Sequence, residues 1–578
     1  MKLEWGLGKQ NGLPPAGDRL GIPESHPGHS WVFWVAMPIV LLLLYAGWRI
    51  FWFLTDDAYI TFRYINNHLL GFGYTWNPPP FRPVEGYTSF SWLVLLEAVW
   101  RIFRVSPPES ANGLSLVLAA LTLGTGARMG VRMAGHRRGT RDGAPLILVA
   151  LLGTVTNRTF LAWTSSGLET AMFNFLFTAW IFVMVFPSRK RGRWVFTAAA
   201  TATLVYFTRP DGILVVLGTG LAFLIGRLSG SLTSRDLLSA VPGFAVPAHF
   251  IWRKLYYGAW LPNTYHAKQV AAWPEGGVRY AASFILEYAI WVWLCLFLVW
   301  LVKRARDRPG PARRSTEPRS LRVPIGPAIA VAVLTGHFLY YTFMVGGDHF
   351  EYRVYSHLIL LLFISGAWFA DRIFRRRWPA VLCMVLFVLL SYPIPWAHWA
   401  ETRGLESREE THVMIRPVAD RFPQPLRGYA RAFDWLQHWL ITHRVCMRHQ
   451  EHKIFHRHQL RIFPTREFGE KTPWTGHPVF AARTVGVPGW VLPNVAIVDL
   501  FGLNDYVVAR SVARSHVGEE RVMAHERFAP EEYLRCFRVN VEPVVPGGVK
   551  IHERQPPLTN EEIIRCERKW RSWADGEY

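Results

Sequence analysis

Long apolar stretches alternate with short polar ones down to about residue 396, and after that they stop. The stretch WVFWVAMPIVLLLLYAGWRIFWF, Trp31 to Phe53, and the one from Ile285 to Val302 approach the roughly 20 residues that a helix needs to cross a bilayer. Runs of this kind fall at 31–53, 111–127, 144–162, 168–187, 194–208, 211–226, 236–252, 280–302, 323–345, 354–370 and 378–396, which predicts eleven spanning helices. The first run lies too far in and is too long for a cleaved leader, so it is expected to stay as the first span. The pattern divides the chain into a leading segment (1–30), a membrane domain (31–396) and a C-terminal domain (397–578) long enough for a core of its own. In that last domain VDLFGLNDYVVAR, Val498 to Arg510, has a strand-like apolar start and a turn, as in an α/β or α+β fold.

Charge orients the helices. Hydrophobic residues make up 51% of the 578, yet the net charge is +22. In a soluble protein such a balance would raise nucleic acid as a partner. Here the basic residues gather in links between apolar runs, Arg128–Arg141, Arg189–Arg193, Arg227–Arg235, Lys303–Arg322 and Arg372–Arg377. That is the pattern of cytoplasmic loops facing anionic lipid, so membrane lipids and not nucleic acid are the expected surroundings. Eleven crossings then leave residues 1–30 inside and the C-terminal domain outside. Ser89 to Phe103 is apolar enough to count as a further short span, but Glu97 and Arg101 sit i,i+4 on one face. We read it as an interfacial helix of about 89–104 at the outer surface; two crossings in place of one is the alternative. Cys295 and Cys383 fall in apolar runs, whereas Cys446, Cys536 and Cys566 fall beyond them, where Cys536 and Cys566 could pair in an oxidising compartment.

With this topology the unusual polar residues all emerge on the outer side. The first outer loop, 54–88, opens with LTDDAYITFRYINN. Asp56 and Asp57 point in different directions on a helix, so one could take a proton or orient a sugar hydroxyl while the other holds an Arg or a divalent cation (Mg, Mn or Ca); helix capping accounts for one of them at most. Arg63, about two turns on, is a candidate phosphate binder. Glu85, Tyr87 and Thr88 are of the kinds that bind sugar hydroxyls. Glu169 stands at a helix start, which favours a carboxylate for ordinary reasons. Arg209 and Asp211 in TRPDG pair with each other or leave the guanidinium for a lipid phosphate. His266 and Lys268 are candidate phosphate ligands, with a snorkelling Lys as the bland alternative. GGDHFEYR adds Asp348, Glu351 and Arg353. No nucleotide-binding or P-loop fingerprint appears, which suits a donor carried on a lipid phosphate. In the C-terminal domain His449, His452 and His456 share a helical face; zinc is one reading and a basic solvated face the favoured one. Asn504 and Asp505 either cap the next helix or touch an acceptor glycan.

Taken in order, LTDDAYITFRY with VEGYTS, TSSGLETAMF, TRPDG, LPNTYHAK, GGDHFEYR and VDLFGLNDYVVAR resemble the bacterial GT-C glycosyltransferases of the mycobacterial terminal β-(1→2) arabinofuranosyltransferase type, from about residue 50 to 515. The resemblance implies a polytopic GT-C fold with a periplasmic C-terminal domain, in a bacterial inner membrane. It implies a general base at Asp56 or Asp57, with Glu169, Arg209, Asp211, His266, Lys268, Asp348 and Arg353 around the donor. The donor implied is a polyprenyl-phosphate sugar (decaprenyl-phosphoryl arabinofuranose in the mycobacterial case), and the acceptor a cell-envelope glycan. VYSHLI after Arg353 and the His-rich stretch depart from the pattern and bear on the acceptor. Lipid, pilin or protein acceptors, and a non-catalytic envelope assembly or transport role, are the alternatives.

Overall fold

A computed structural model describes residues 31–134, 143–268, 271–307, 325–513, 521–523 and 527–576. The segment 1–30, half of the basic link Arg128–Arg141 and most of Lys303–Arg322 lie outside the described residues. Where the sequence predicts spans, the chain is helical. Five of the described helices are long and apolar enough to cross a membrane: Pro107–Met133, Pro210–Leu228, Ile325–Val345, Arg353–Ile373 and Arg377–Thr402. Two bent pairs raise this to seven if each is one span, and Ala144–Val155 and Thr170–Val185 are apolar but shorter. Among the described residues the expected count of eleven spans is therefore not reproduced. The run at 280–302 shows why: Pro274–Glu287 and Ile290–Arg306 meet at 87°, with Ala289 in the left-handed region at φ 48°.

The second bend positions the site. The helix Trp31–Phe51 gives way to Asp56–Leu69 at 93°. The second helix carries two Asp, an Arg and paired Asn, too polar and short to span, and it lies across the end of the bundle. Its residues from Asp56 to Asn67 are nearly all buried, because later parts of the chain cover it. Phe90–Phe103 forms the helix expected there, and Glu97 receives Arg101 at 2.7 Å, His68 at 2.9 Å and Tyr74 at 2.7 Å.

The C-terminal region is a small α/β assembly. Strand β1 (Val479–Ala482) pairs in parallel with β2 (Ala496–Asp499), from Val479↔Ala496 to Ala482↔Asp499, and the connection runs through the helix Gly486–Val491. Strands β3 (Val541–Val544) and β4 (Gly548–Ile551) form an antiparallel hairpin. Cys536 and Cys566 form a disulfide. The helix His449–Ile462 overturns the expectation of a solvated basic face. His449, His452 and His456 are all buried. The His449 ring nitrogen Nε2 lies 3.0 Å from the Phe51 carbonyl, and His456 meets the Tyr59 hydroxyl at 3.0 Å. Burial pushes their imidazoles down, to about 3 for His449 and about 4 for His452 and His456. They are packing residues of a covering helix.

Candidate active site

The two aspartates are separated by their surroundings. Asp56 accepts the backbone N–H of Gly486 at Oδ2 (3.0 Å) and of Val487 at Oδ1 (2.8 Å), so both of its oxygens are occupied by the start of the crossover helix. A side chain at Gly486 would put its Cβ 1.8 Å from the Asp56 carbonyl oxygen, so only glycine admits this approach. Burial pushes the Asp56 carboxyl up to about 7 against the pull of those two N–H groups. Asp57 is less enclosed and faces charge. Burial raises its carboxyl above the usual aspartate range, Lys268 and Arg353 pull it back, and Asp348 and Glu169 push it up again. It is thus the member of the pair within electrostatic reach of four candidate residues from three separate loops.

Backbone contacts assemble those loops. Thr55 N–H donates to the Ser166 carbonyl (3.1 Å), and Asn112 ties Phe53 to Gly167 by donating to the Phe53 carbonyl (2.9 Å) and accepting the Gly167 N–H (2.8 Å). This lays the Glu169 turn beside the first outer loop. Arg353 donates through Nε to Asp348 Oδ2 at 2.9 Å and lies 4.3 Å over the Phe350 ring. The turn before it uses two glycines in the left-handed region, at φ 92° and 100°; a Cβ on Gly347 would meet Tyr280 Cγ at 2.8 Å. The same loop is zipped to the C-terminal region, with Cys446 N–H on the Asp348 carbonyl (2.9 Å) and Met447 N–H on that of His349 (2.7 Å). Arg209 holds Asp211 through two bonds of 3.2 Å and approaches Glu169 at 3.9 Å. Lys268 ends the helix Asn263–Lys268, stays exposed to water, and feels Arg353, Asp57, Asp348 and Arg209.

Other candidates are placed elsewhere. Arg63 corrects the sequence reading, because its donors are consumed by neutral acceptors. Nε donates to the Trp76 carbonyl (2.7 Å), Nη1 to those of Gly489 (2.8 Å) and Leu492 (3.2 Å), and Nη2 to that of Val495 (2.8 Å) and to Asn77 Oδ1 (3.3 Å). Five donors are all that a guanidinium has, so none is left for phosphate. Glu85 is buried in an ion pair with Arg253 at 2.5 Å. Tyr87 meets the Tyr257 hydroxyl at 3.2 Å. Asn504 accepts the Tyr64 hydroxyl (3.2 Å), and Asp505 caps the helix Tyr506–Ala509 through Val507 and Val508 N–H (3.0 Å each) and accepts the Tyr533 hydroxyl (2.8 Å). Glu85 and Tyr87 thus bind the helix Ala245–Tyr257, Asp505 binds within the C-terminal region, and Asn504 joins that region to Tyr64. His266 turns toward that region too, where burial and then Arg510 and Arg527 lower its imidazole. Sequence reasoning passed over Gly486, Asn112, His337 and Tyr341. The last two touch Asp211 and carry a signal in retrospect, as polar residues spaced i,i+4 in an apolar run.

Among the described residues no group of three or more His, Cys, Asp or Glu is arranged to hold a metal ion. Each Asp56 oxygen already accepts a backbone N–H, and Asp57 is not grouped with two further ligands of this kind among the described residues.

Helices that can cross a bilayer, capped at one end by a half-buried acid–base cluster and an α/β region, define a multi-pass membrane protein with a candidate reaction site at the bundle end. No family model matches the sequence. Over 345 residues the chain is 28% identical to the terminal beta-(1->2)-arabinofuranosyltransferase of Mycobacterium tuberculosis, covering 56% of this chain and 53% of that protein. The chain thus spans about half the length of the curated relative it matches. The crystal structure of ArnT from Cupriavidus metallidurans bound to undecaprenyl phosphate aligns with a TM-score of 0.45 at 10% identity, over 81% of this chain and 85% of that one.

Proposed function

We propose that the protein is a membrane glycosyltransferase of the GT-C kind, transferring a sugar from a polyprenyl-phosphate donor to a cell-envelope glycan on the outer side of the membrane. The observation that carries this reading is Asp57: a carboxylate with raised affinity for protons, facing Lys268 and Arg353 at the mouth of a helix bundle. The similarity to the arabinofuranosyltransferase supports the reaction class and makes arabinofuranose the leading sugar.

A sugar on a phosphate carries its own leaving group. The acceptor hydroxyl attacks C1, its proton passes to an Asp57 oxygen, and the bond from C1 to the phosphate oxygen breaks with its electrons going to the phosphate. Arg353, Lys268 and the free edge of Arg209 receive that negative charge through charge-assisted hydrogen bonds. One displacement inverts the anomeric centre and leaves no sugar on the enzyme. Asp56 holds the loop in place. The Cys536–Cys566 disulfide suits an oxidising outer compartment for the C-terminal region.

The test supplies purified protein in lipid nanodiscs with radiolabelled decaprenyl-phosphoryl arabinofuranose and an arabinan oligosaccharide. Label in the oligosaccharide with the inverted configuration is expected. Movement of intact donor between leaflets without transfer would make the protein a transporter instead.

A further inference from the structure

Arg209 is gripped from one side. Its Nε and Nη2 bond the two oxygens of Asp211, and Nη2 also donates to the Tyr341 hydroxyl at 2.9 Å. Nη1 is the remaining edge, with Glu169 Oε1 at 3.9 Å, outside hydrogen-bond range. Asp211 is gripped in turn. Its Oδ2 takes Arg209, the Tyr341 hydroxyl at 2.8 Å and His337 Nε2 at 2.9 Å. His337 and Tyr341 sit i,i+4 on Ile325–Val345, so one helix face supplies both.

His337 is 1% exposed, and its ring packs against Phe173, Phe177 and His357. An apolar residue would fill that space without a polar cost. Nδ1 has no hydrogen-bond partner among the described residues, which is unfavourable for a buried nitrogen. The bond that remains to justify a histidine is Nε2–H to Asp211, and a carboxylate acceptor fixes the proton on that nitrogen. We propose that His337 is a positioning residue: by anchoring Asp211 it fixes the direction of the Arg209 guanidinium, and so the geometry of its contact with the donor phosphate. This rests on the donor-binding reading given above.

Binding of decaprenyl phosphate to the full chain in nanodiscs tests it, with decaprenol as the uncharged control. His337→Gln keeps an N–H near the Nε2 position, and His337→Met has the same length without one. Arg209→Gln and His337→Met are each expected to weaken decaprenyl phosphate binding about tenfold and to leave decaprenol binding unchanged. His337→Gln should stay within about threefold of wild type. The double variant Arg209→Gln/His337→Met should bind no more weakly than Arg209→Gln alone, because both act through one contact. In turnover, His337→Met should raise the donor KM and also lower kcat, since Arg209 takes up the charge on the departing phosphate, and neither parameter should worsen further when Arg209→Gln is added, a non-additivity that general loosening of the bundle would not give. Wild-type binding by His337→Met, or losses that add in full in the double variant, would overturn the positioning role and leave the Arg209 contact standing. Wild-type binding by Arg209→Gln would remove that contact and the inference with it. If His337→Met does not fold, His337→Asn, whose amide falls one methylene short of Asp211, takes its place; binding equal to that of His337→Gln overturns the role.

Discussion

At Asp56 both carboxylate oxygens accept backbone N–H groups, so Asp56→Asn turns one acceptor into an NH2 that faces a donor. A loss of about 1–3 kcal/mol in stability is expected, read from thermal unfolding in detergent. Folded Asp56 keeps its proton up to about 7, the unfolded chain only to 3.8. Wild type's margin over this variant is therefore greatest at acid pH and shrinks as pH rises between those values. Asp57→Asn is the opposite case. It removes the proposed base and leaves the Asp56 anchor intact, so the melting temperature should hold while turnover falls at least about 10²-fold. A near-wild-type rate for Asp57→Asn would end its role as base. The base works ionised, and burial holds the Asp57 carboxyl above the ordinary aspartate range. The acid limb of kcat/KM should then lie above that range, with activity rising as pH passes through it. Lys268→Ala removes an attraction and should move the limb to higher pH; Asp348→Asn removes a repulsion and should move it lower. Movement in the reverse directions would detach the profile from Asp57.

Between elements, the joint that couples the C-terminal region to the bundle is a buried set of two guanidiniums and two carboxylates. Arg448 bonds Glu287 at 2.7 and 2.9 Å and comes within 3.4 Å of Glu351, which also takes Arg158 at 2.9 Å and His449 N–H at 3.0 Å. Burial drives the Glu351 carboxyl up, and the two arginines outweigh it, so it stands below the usual glutamate range. Arg448→Met would strand Glu287, which is 1% exposed, at a cost of about 3–5 kcal/mol. Adding Glu287→Met should recover much of that, because it removes the stranded charge; chemical unfolding of the two variants decides, and equal losses would mean the pair matters for packing alone. This joint also marks where sequence reading stops. Apolar runs and charged loop ends disclose helices and the residues at their mouths, since both are local patterns. What covers those residues is not local: the acceptors of Arg63 lie at Trp76 and at Gly489, Leu492 and Val495. Likewise His449, His452 and His456 look solvated in sequence and are buried because Phe51, Phe350 and Tyr59 pack on them. The Glu97–Arg101 pair, four residues apart, was legible; the bend at Ala289, marked only by Glu287 in an otherwise apolar stretch, was not.

For the whole molecule, a single reactive face requires that each end of the bundle occupy a defined side of the membrane. The charged cluster, the Tyr64–Asn504 contact and the C-terminal region share one end, while the Arg375–Arg377 link follows the helix Arg353–Ile373 to the other. The positive-inside tendency puts that link in the cytoplasm, and a disulfide at the opposite end fits an oxidising compartment. Single cysteines can report both ends. Cys446 is buried, so the background needs Cys295, which is exposed, and the partly buried Cys383 replaced by Ser or Ala, with the Cys536–Cys566 bond left in place. Glu467 has an exposed side chain in the C-terminal region and Arg375 is exposed at the far end. In intact cells a membrane-impermeant maleimide should label Glu467→Cys at once and Arg375→Cys only after the membrane is permeabilised. The reverse order would place the Asp57 cluster in the cytoplasm, where nucleotide sugars are at hand and a lipid-phosphate donor loses its rationale. Labelling of both from outside would show that the helices between them cross an even number of times, and the orientation drawn from charge would have to be abandoned.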